Sequence, residues 1–370
     1  MSTGTEPETP QQEKVAEERA PDASLLFVTK RVRELPSWTP WAILGGTAVV
    51  VGGGLLLAGR GVALAVVATA VVYALAVYLS SRVVEGPRKA TDRLVTVVVT
   101  TAFLIAMIPL VSVVVTVLAN GVARFDAQFF TSSMRGVVGE GGGGYHAILG
   151  TLIITALAAL MSIPVGLLTA VYLVEYGRGK LARAITFFVD VMTGIPSIVA
   201  GLFAFALFAL FFGPSIRMGF MGSVALSVLM IPVVVRSTEE MLKIVPNELR
   251  EASYALGVPK WRTIVKVVIP TSVAGIASGV TLAIARVIGE TAPLLIAVGI
   301  TTGVNLNPFD GRMATLPVFS YYSYVAPGVP REPFIDRAWT AALVLIILVM
   351  VLNLAARLIA RLFAPKTAGR

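Results

Sequence analysis

The sequence predicts an all-α integral membrane protein, a polytopic helical bundle of about eight transmembrane helices. Composition is the first reason. Hydrophobic residues make up 56% of the 370 residues and charged residues only 14%, whereas soluble domains carry roughly 25% charged residues. The mean hydropathy is +0.85, and the apolar residues are gathered in long blocks. We therefore expect most of the chain to lie in a lipid bilayer.

The apolar blocks predict where the helices cross. A helical span needs about 20 mainly apolar residues, and eight blocks meet this length: 41–58, 62–80, 94–119, 148–174, 185–212, 220–235, 267–300 and 338–354. A tight Gly59-Arg60-Gly61 turn joins the first two into a hairpin. Prolines inside the long blocks are predicted to kink or break their helices; they are Pro109, Pro164, Pro196 and Pro293.

Basic residues predict the orientation. Lys and Arg are concentrated in alternate loops, such as Arg88-Lys89 and the 236–266 segment, and basic loops face the cytoplasm. This places both termini on the cytoplasmic side. It also explains the net charge of +9 without a nucleic-acid partner.

Several chemical classes are excluded or disfavoured. The chain has no cysteine, so it has no thiolate chemistry. It contains no G-x-x-x-x-G-K-[ST] phosphate-binding loop, so it has no ATPase site of this type. A GEGGGG stretch satisfies G-x-G-x-x-G but lies between two spans, where no strand precedes it. The single His146 is predicted to be a surface residue, because one imidazole makes no metal site.

One polar segment interrupts the apolar chain, ELREASYALGVPKWRTIVKVVIP at residues 248–270. Pro246 suits a first helical turn, Glu248 and Glu251 complement the positive end of a helix dipole, and Gly257 suits the position after a helix. These signals predict a short helix at residues 246–256, outside the bilayer on the basic face. A capped helix on rigid spans can receive force from a soluble partner, although an ordinary interfacial loop is the alternative.

The same segment resembles the EAA loop of bacterial ABC-importer permeases. That pattern reads E-A-A, three residues, G, nine residues, I-x-L-P; here Ser253, Val267 and Ile269 depart from it by small changes in size. The resemblance implies that residues 246–261 dock into a separate ATP-hydrolysing subunit. The residues expected to couple to it are Pro246, Glu248, Arg250, Glu251, Ala252 and Gly257.

Four further stretches narrow the resemblance to the PstA-type permeases of phosphate-uptake ABC transporters. They are GIPSIVAGLFAF, RSTEEML, LAIARVIGETAPLL and ATLPVF, and the likeness covers about residues 88–362. It implies a type I importer permease core of six helices in domain 88–363, preceded by an additional transmembrane hairpin at 39–87. Residues 1–24 are acidic and Pro-containing, and the chain up to residue 38 is predicted to be a disordered cytoplasmic tail.

The resemblance also implies the partners. These are cytoplasmic ATP-binding subunits, a second phosphate permease subunit, and an extracytoplasmic phosphate-binding protein, all assembled at the bacterial cytoplasmic (inner) membrane. The chain itself is expected to be no enzyme and to bind no cofactor or metal; ATP and Mg would be used by the partner ATPase.

Intramembrane charges are candidate pathway residues, because a charge at the bilayer centre costs roughly 2.5–3.5 kcal/mol on insertion scales. Arg286 and Glu290 are four residues apart and are predicted to share a helical face. Arg286 could offer its guanidinium fork to a tetrahedral oxyanion, or the two could form a structural ion pair. Asp190 is expected to be structural or gating, together with the kink residues Pro196 and Pro293. Neutral donors near the kinks are Thr193, Ser197 and Thr291.

Three alternatives remain from the sequence. The cargo could be another oxyanion, such as sulfate, molybdate or phosphonate. An ion-coupled secondary transporter could use Asp190, Arg286 and Glu290 as a relay, but this leaves the EAA spacing unexplained. A membrane enzyme could use the same groups as acid and base, but no nucleophile–base pair lies near them.

Overall fold

A computed structural model describes residues 35–363 of the chain. The predicted disordered tail, residues 1–38, therefore lies almost wholly outside the described residues. The chain divides into two compact units, residues 1–112 and 113–370. The division falls within helix α3 (Pro87–Gly121) rather than at residue 88, and the predicted domain limits stay predictions.

The first unit contains a helical hairpin made of α1 (Thr39–Leu57) and α2 (Val62–Val84). Gly59 and Gly61, which connect them, have φ values of 72° and 38°, a region that glycine adopts without steric cost. The predicted tight turn is therefore present. Near the end of α2, the buried carboxylate of Glu85 accepts hydrogen bonds from the Leu35 N–H, the Ser81 hydroxyl and Arg93.

The second unit is also helical, and residues 35–363 contain no β-strand. Its helices, after the end of α3, are α4 (Ala127–Thr131), α5 (Tyr145–Tyr176), α6 (Gly179–Thr193), α7 (Ser197–Phe212), α8 (Gly219–Ile244), α9 (Asn247–Ala255), α10 (Lys260–Val287), α11 (Ala292–Ala297), α12 (Leu316–Val325) and α13 (Glu332–Phe363). The last turn of α5 and one turn near the start of α10 are π-helical.

Within the described residues, seven helices are long and apolar enough to span a membrane, and the bent pair α6–α7 makes an eighth candidate. The count of eight agrees with the sequence, but two predicted spans are wrong in shape. Block 185–212 is not one straight helix, because the chain bends by 109° between α6 and α7, at the short break that contains Pro196. Block 267–300 is divided into α10 and α11, and Pro293 opens the second helix. By contrast, Pro109 and Pro164 lie inside continuous helices.

The core of the second unit forms where α5 and α8 pack side by side. The Ser223 hydroxyl donates to the Ile154 carbonyl at 3.0 Å, and the Ser227 hydroxyl donates to the Ala158 carbonyl at 3.4 Å. The constant offset shows that the two helices run parallel. Gly166 permits the contact to continue, because a Cβ there would lie 2.6 Å from a Val234 methyl. Buried Leu226 and Met230 lie at the centre of this core.

His146 is not at the surface, so that prediction is wrong. It is the second residue of α5, its side chain is buried, and its ring packs edge-on against Phe319 of α12 at 5.3 Å. The first turn of a span was interpreted as loop because the preceding Gly-rich stretch hides the start of the helix.

Candidate functional site

Helix α9 (Asn247–Ala255) is the polar segment singled out in the sequence. The chain turns at Pro246, whose extended ψ of 143° precedes the first helical residue. After the helix, Gly257 has φ of 75°, and the N–H groups of Gly257 and Val258 donate to the carbonyls of Tyr254 and Ser253 at 2.9 and 3.2 Å. This is the glycine-closed end that the sequence predicts. The helix is one residue shorter at each end than predicted.

One side of α9 is exposed. Glu248, Leu249, Glu251, Ala252 and Tyr254 all lie on it. Leu256 and Trp261 extend the exposed surface beyond the helix, with 84% and 57% of their area accessible. An apolar patch flanked by carboxylates is typical of a surface that another protein covers.

Arg250 does not belong to this exposed side. Its Nε donates to one carboxylate oxygen of Glu175 at 3.0 Å, and its Nη2 lies 2.9 Å from the same oxygen in an ion pair. Only 12% of its side chain is exposed. Helical geometry separates Arg250 from the other predicted coupling residues, since positions 250 and 253 face the bundle while 248, 251 and 252 face away. The coupling role of Arg250 stays a prediction. Ser253 shares the inner side and bonds to the Thr263 hydroxyl at 2.8 Å.

Arg286 lies near the middle of the membrane bundle. Helix α10 runs antiparallel to α8, because Gly275 faces Met241 and Gly279 faces Ser237. The same register brings Arg286 to the level of Met230, close to the middle of the 26-residue helix α8. Its side chain is exposed and makes no hydrogen bond or ion pair with any described residue. A charge at this depth needs water, an anion or another protein chain beside it.

Glu290 does not share a helical face with Arg286, so that prediction is wrong. Helix α10 ends at Val287, and Ile288 and Gly289 form a turn before the half-buried Glu290. No ion pair joins the two side chains. Pro293 follows this turn and cannot donate the N–H bond that a continuous helix would have at that position.

Helices α7 and α11 begin at the same level as this turn. Gly201 of α7 lies against the Pro293 backbone, where a Cβ would come within 2.6 Å of the Pro293 Cα. The far ends of both helices meet the start of α8, since Phe208 packs on Phe220 at 5.9 Å and Val298 faces Gly222. The two helices therefore run side by side in the same direction.

The three neutral donors are not equivalent. Ser197 is the first residue of α7 and Thr291 precedes α11; neither hydroxyl bonds to a described residue. The Thr193 hydroxyl is occupied, because it donates to the carbonyls of Val189 and Asp190 at 2.9 and 2.8 Å. Thr193 is thus a helix-end residue, whereas Ser197 and Thr291 have hydroxyls that bond to none of the described residues.

Asp190 lies at the end of α6 rather than inside a straight span. It forms an ion pair with Arg236 of α8, and Arg236 also bonds to Glu239 at 2.8 Å. Lys243 extends the network to Glu239 at 2.7 Å. The pair joins the bent helix α6 to the second half of α8, the half that leads into α9.

Comparison with known proteins gives the family. A sequence model of the family described as "Binding-protein-dependent transport system inner membrane component" matches residues 162–369. A Mycobacterium tuberculosis (strain CDC 1551 / Oshkosh) protein named phosphate transport system permease protein PstA 1 is 50% identical over 275 residues, 74% of this chain and 89% of its own length. The chain belongs to this family, on its PstA-type branch. The Yersinia pestis permease protein PstA is 34% identical over 292 residues, covering 78% of this chain and 95% of its own.

A solved structure supports the fold of the PstA-type permease. A chain from the crystal structure of a bacterial alginate ABC transporter, in complex with a periplasmic protein bound to an alginate pentasaccharide, superposes with a TM-score of 0.52 at 15% identity. The superposition covers 74% of the permease described here and 96% of that chain. At this identity the likeness shows the architecture, that of an ABC importer permease.

Two residues of the site escaped the sequence analysis. Glu175 directly follows the predicted span 148–174, and Arg236 was counted only as a basic loop residue, although it lies inside α8. Each has a partner more than 40 positions away in sequence. The one available signal was their charge next to long apolar runs, which marks an ionisable group held within or at the edge of a span.

Proposed function

We propose that the chain is the membrane-spanning permease subunit of an ATP-driven importer that moves inorganic phosphate into the cytoplasm. The observation that carries this proposal is the 50% identity, over 89% of its length, to a protein named as a phosphate transport permease. The capped helix α9, with its exposed carboxylates and apolar side chains, supports the same role.

Energy for transport comes from partner subunits. Cytoplasmic ATP-binding subunits grip α9 and the rest of segment 246–261 and hydrolyse ATP with Mg. A second phosphate permease subunit pairs with this chain, and an extracytoplasmic phosphate-binding protein delivers the cargo. The complex lies in the bacterial cytoplasmic membrane with both termini of this chain in the cytoplasm. The chain is a transport subunit and performs no chemical step.

Arg286 is the residue that meets phosphate in this proposal. A guanidinium presents a rigid fork of donors that matches a tetrahedral oxyanion, and Arg286 is exposed near mid-membrane with no partner among the described residues. Ser197 and Thr291 add neutral donors at about the same level. Helices α7 and α11 pivot near Pro196 and Pro293 to open the pathway on alternate sides.

Phosphate uptake by whole cells tests the proposal. Cells lacking this chain should lose high-affinity uptake of labelled phosphate and regain it with the wild-type gene, and excess sulfate or molybdate should not compete. The Arg286→Gln variant should assemble normally but restore little uptake, whereas Arg286→Lys should restore part of it. Competition by sulfate would change the assigned cargo, and full uptake by Arg286→Gln would reduce Arg286 to a packing role.

A further inference from the structure

Glu175 is a buried carboxylate that the transport proposal does not use. It lies in the π-helical last turn of α5, and only 4% of its side chain is exposed. The chain leaves the helix directly afterwards at Gly177, where a Cβ would come within 2.6 Å of the Leu173 carbonyl oxygen. A buried charge is costly unless it is paired and hydrogen-bonded, so its partners indicate why it is there.

The main partner is Arg250 of α9. Its guanidinium binds Glu175 through Nε and Nη2, while Nη1 donates to the Val245 carbonyl at 2.6 Å and Nη2 to the Leu242 carbonyl at 3.0 Å. One side chain therefore joins α9 to the last turn of α5 and to the inner end of α8. Every one of these bonds is charge-assisted, the stronger class of hydrogen bond in proteins.

A second contact reaches Glu175 from α10, the helix that follows α9 in the chain. Lys260, the first residue of α10, donates from Nζ to the backbone carbonyl of Glu175, and this ammonium lies 4.7 Å from the ring centroid of Tyr176. Glu175 thus contacts side chains from both α9 and α10.

Covalent connections alone would hold α9 loosely. It is joined to α8 through the non-helical Val245-Pro246 and to α10 through the non-helical residues 256–259. Such short non-helical joints can absorb backbone rotation as hinges do. Helix α5, in contrast, packs along α8 through Ser223, Ser227 and Gly166, so a tie to its last turn connects α9 to the rigid core.

We infer that Glu175 is a positioning residue of the ATP-driven cycle, tying α9 through Arg250 to the α5–α8 core so that these helices move as one body. This inference rests on the proposed function, because it assumes that a partner ATPase pulls on α9. Without the tie, the ATPase turns α9 about its two joints, and ATP is hydrolysed with little movement of the membrane helices.

The test uses the complete transporter in proteoliposomes, with phosphate uptake and ATP hydrolysis measured together. Glu175→Gln keeps the shape and removes the charge, and Arg250→Gln removes the fork. Both should keep the ATPase subunits bound, and the phosphate moved per ATP should fall by about tenfold, as expected when a charged hydrogen bond between moving parts is lost. The double variant should be no worse than Arg250→Gln alone. Glu240→Gln is the matched control, because Glu240 is exposed on α8 with no described side-chain partner.

A distance measurement provides a second readout. The chain has no cysteine, so spin labels can be placed on Glu248→Cys in α9 and Leu160→Cys in α5, both of which have exposed side chains. The distance should stay narrow with and without trapped ATP, and Glu175→Gln should broaden it.

Two results would overturn the tie. One is an unchanged phosphate-to-ATP ratio in both single variants; the other is loss of the ATPase subunits from the Arg250→Gln complex, which would make Arg250 a docking residue. Absence of phosphate uptake by the wild-type complex would instead reject the proposed function, so the two failures are distinguishable.

Discussion

The contact between Gly201 and Pro293 provides a quantitative test of how the pathway helices pack. Gly201→Ala would place a Cβ 2.6 Å from the Pro293 Cα, 3.0 Å from its carbonyl oxygen and 3.2 Å from its carbonyl carbon. Carbon atoms pack best at about 3.5–4.0 Å, so α7 and α11 must separate by roughly 1 Å. The contacted atoms are backbone, and no flexible side chain can move aside.

Two effects of opposite sign set the expected change in stability. Overpacking of this kind costs about 1–3 kcal/mol, and contact with backbone favours the upper half of that range. Replacing a mid-helix glycine by alanine returns about 1 kcal/mol of helix propensity. The free energy of unfolding should therefore fall by about 1–2 kcal/mol, and the Tm should fall with it.

Thermal unfolding of the purified permease in detergent measures this change. Gly194→Ala is the matched control, because its Cβ would lie 3.5 Å from the nearest atom, the Val191 carbonyl oxygen, an ordinary contact. Gly194→Ala should keep the wild-type Tm while Gly201→Ala lowers it. Equal melting of Gly201→Ala and wild type would mean that α7 and α11 do not approach closely here.

The remaining predictions concern Glu85 and Asp126. Burial raises the pKa of Glu85, but hydrogen bonds from Ser81, the Leu35 N–H and Arg93 lower it more, so the pKa lies below its ordinary 4.5. A carboxyl group with a lowered pKa stabilises the fold at pH values above its ordinary pKa, and this stabilisation is lost as the pH falls from the ordinary pKa through the lowered one. Glu85→Gln should therefore flatten this acidic part of a curve of Tm against pH. An unchanged curve would contradict the role assigned to Glu85. Asp126 caps α4 by accepting a hydrogen bond from the Phe129 N–H at 2.8 Å. In chemical unfolding, Asp126→Ala should lower the free energy of unfolding by about 0.5–2 kcal/mol, and Asp126→Asn should lower it much less. Equal losses in the two variants would argue against the cap.

Local signals in the sequence were sufficient for some features and not for others. The apolar runs predicted the number of spans, because length and hydrophobicity are properties of the segment itself. The ends of α9 were predicted to within one residue, since Pro246 and Gly257 act on the adjacent backbone. Prolines were ambiguous: Pro109 and Pro164 lie in continuous helices, whereas Pro196 and Pro293 mark breaks.

Long-range partners could not be predicted. The separation of Arg286 from Glu290 depends on where α10 stops, and the i, i+4 spacing assumed that it continued. Arg250 was identified, but its partner Glu175 is 75 positions away, and only the folded chain brings the two side chains together. Asp190 and Arg236 are 46 positions apart, and the bend between α6 and α7 decides that contact.

Transport by reconstituted components tests the central claim most directly. Proteoliposomes containing this chain with its partner permease and ATPase subunits, supplied with the phosphate-loaded binding protein, should accumulate labelled phosphate only when Mg and ATP are present on the side that α9 faces. The two permeases without the ATPase should accumulate none. Equal accumulation with and without the ATPase would contradict the account, because α9 would then receive no force from a nucleotide-hydrolysing partner.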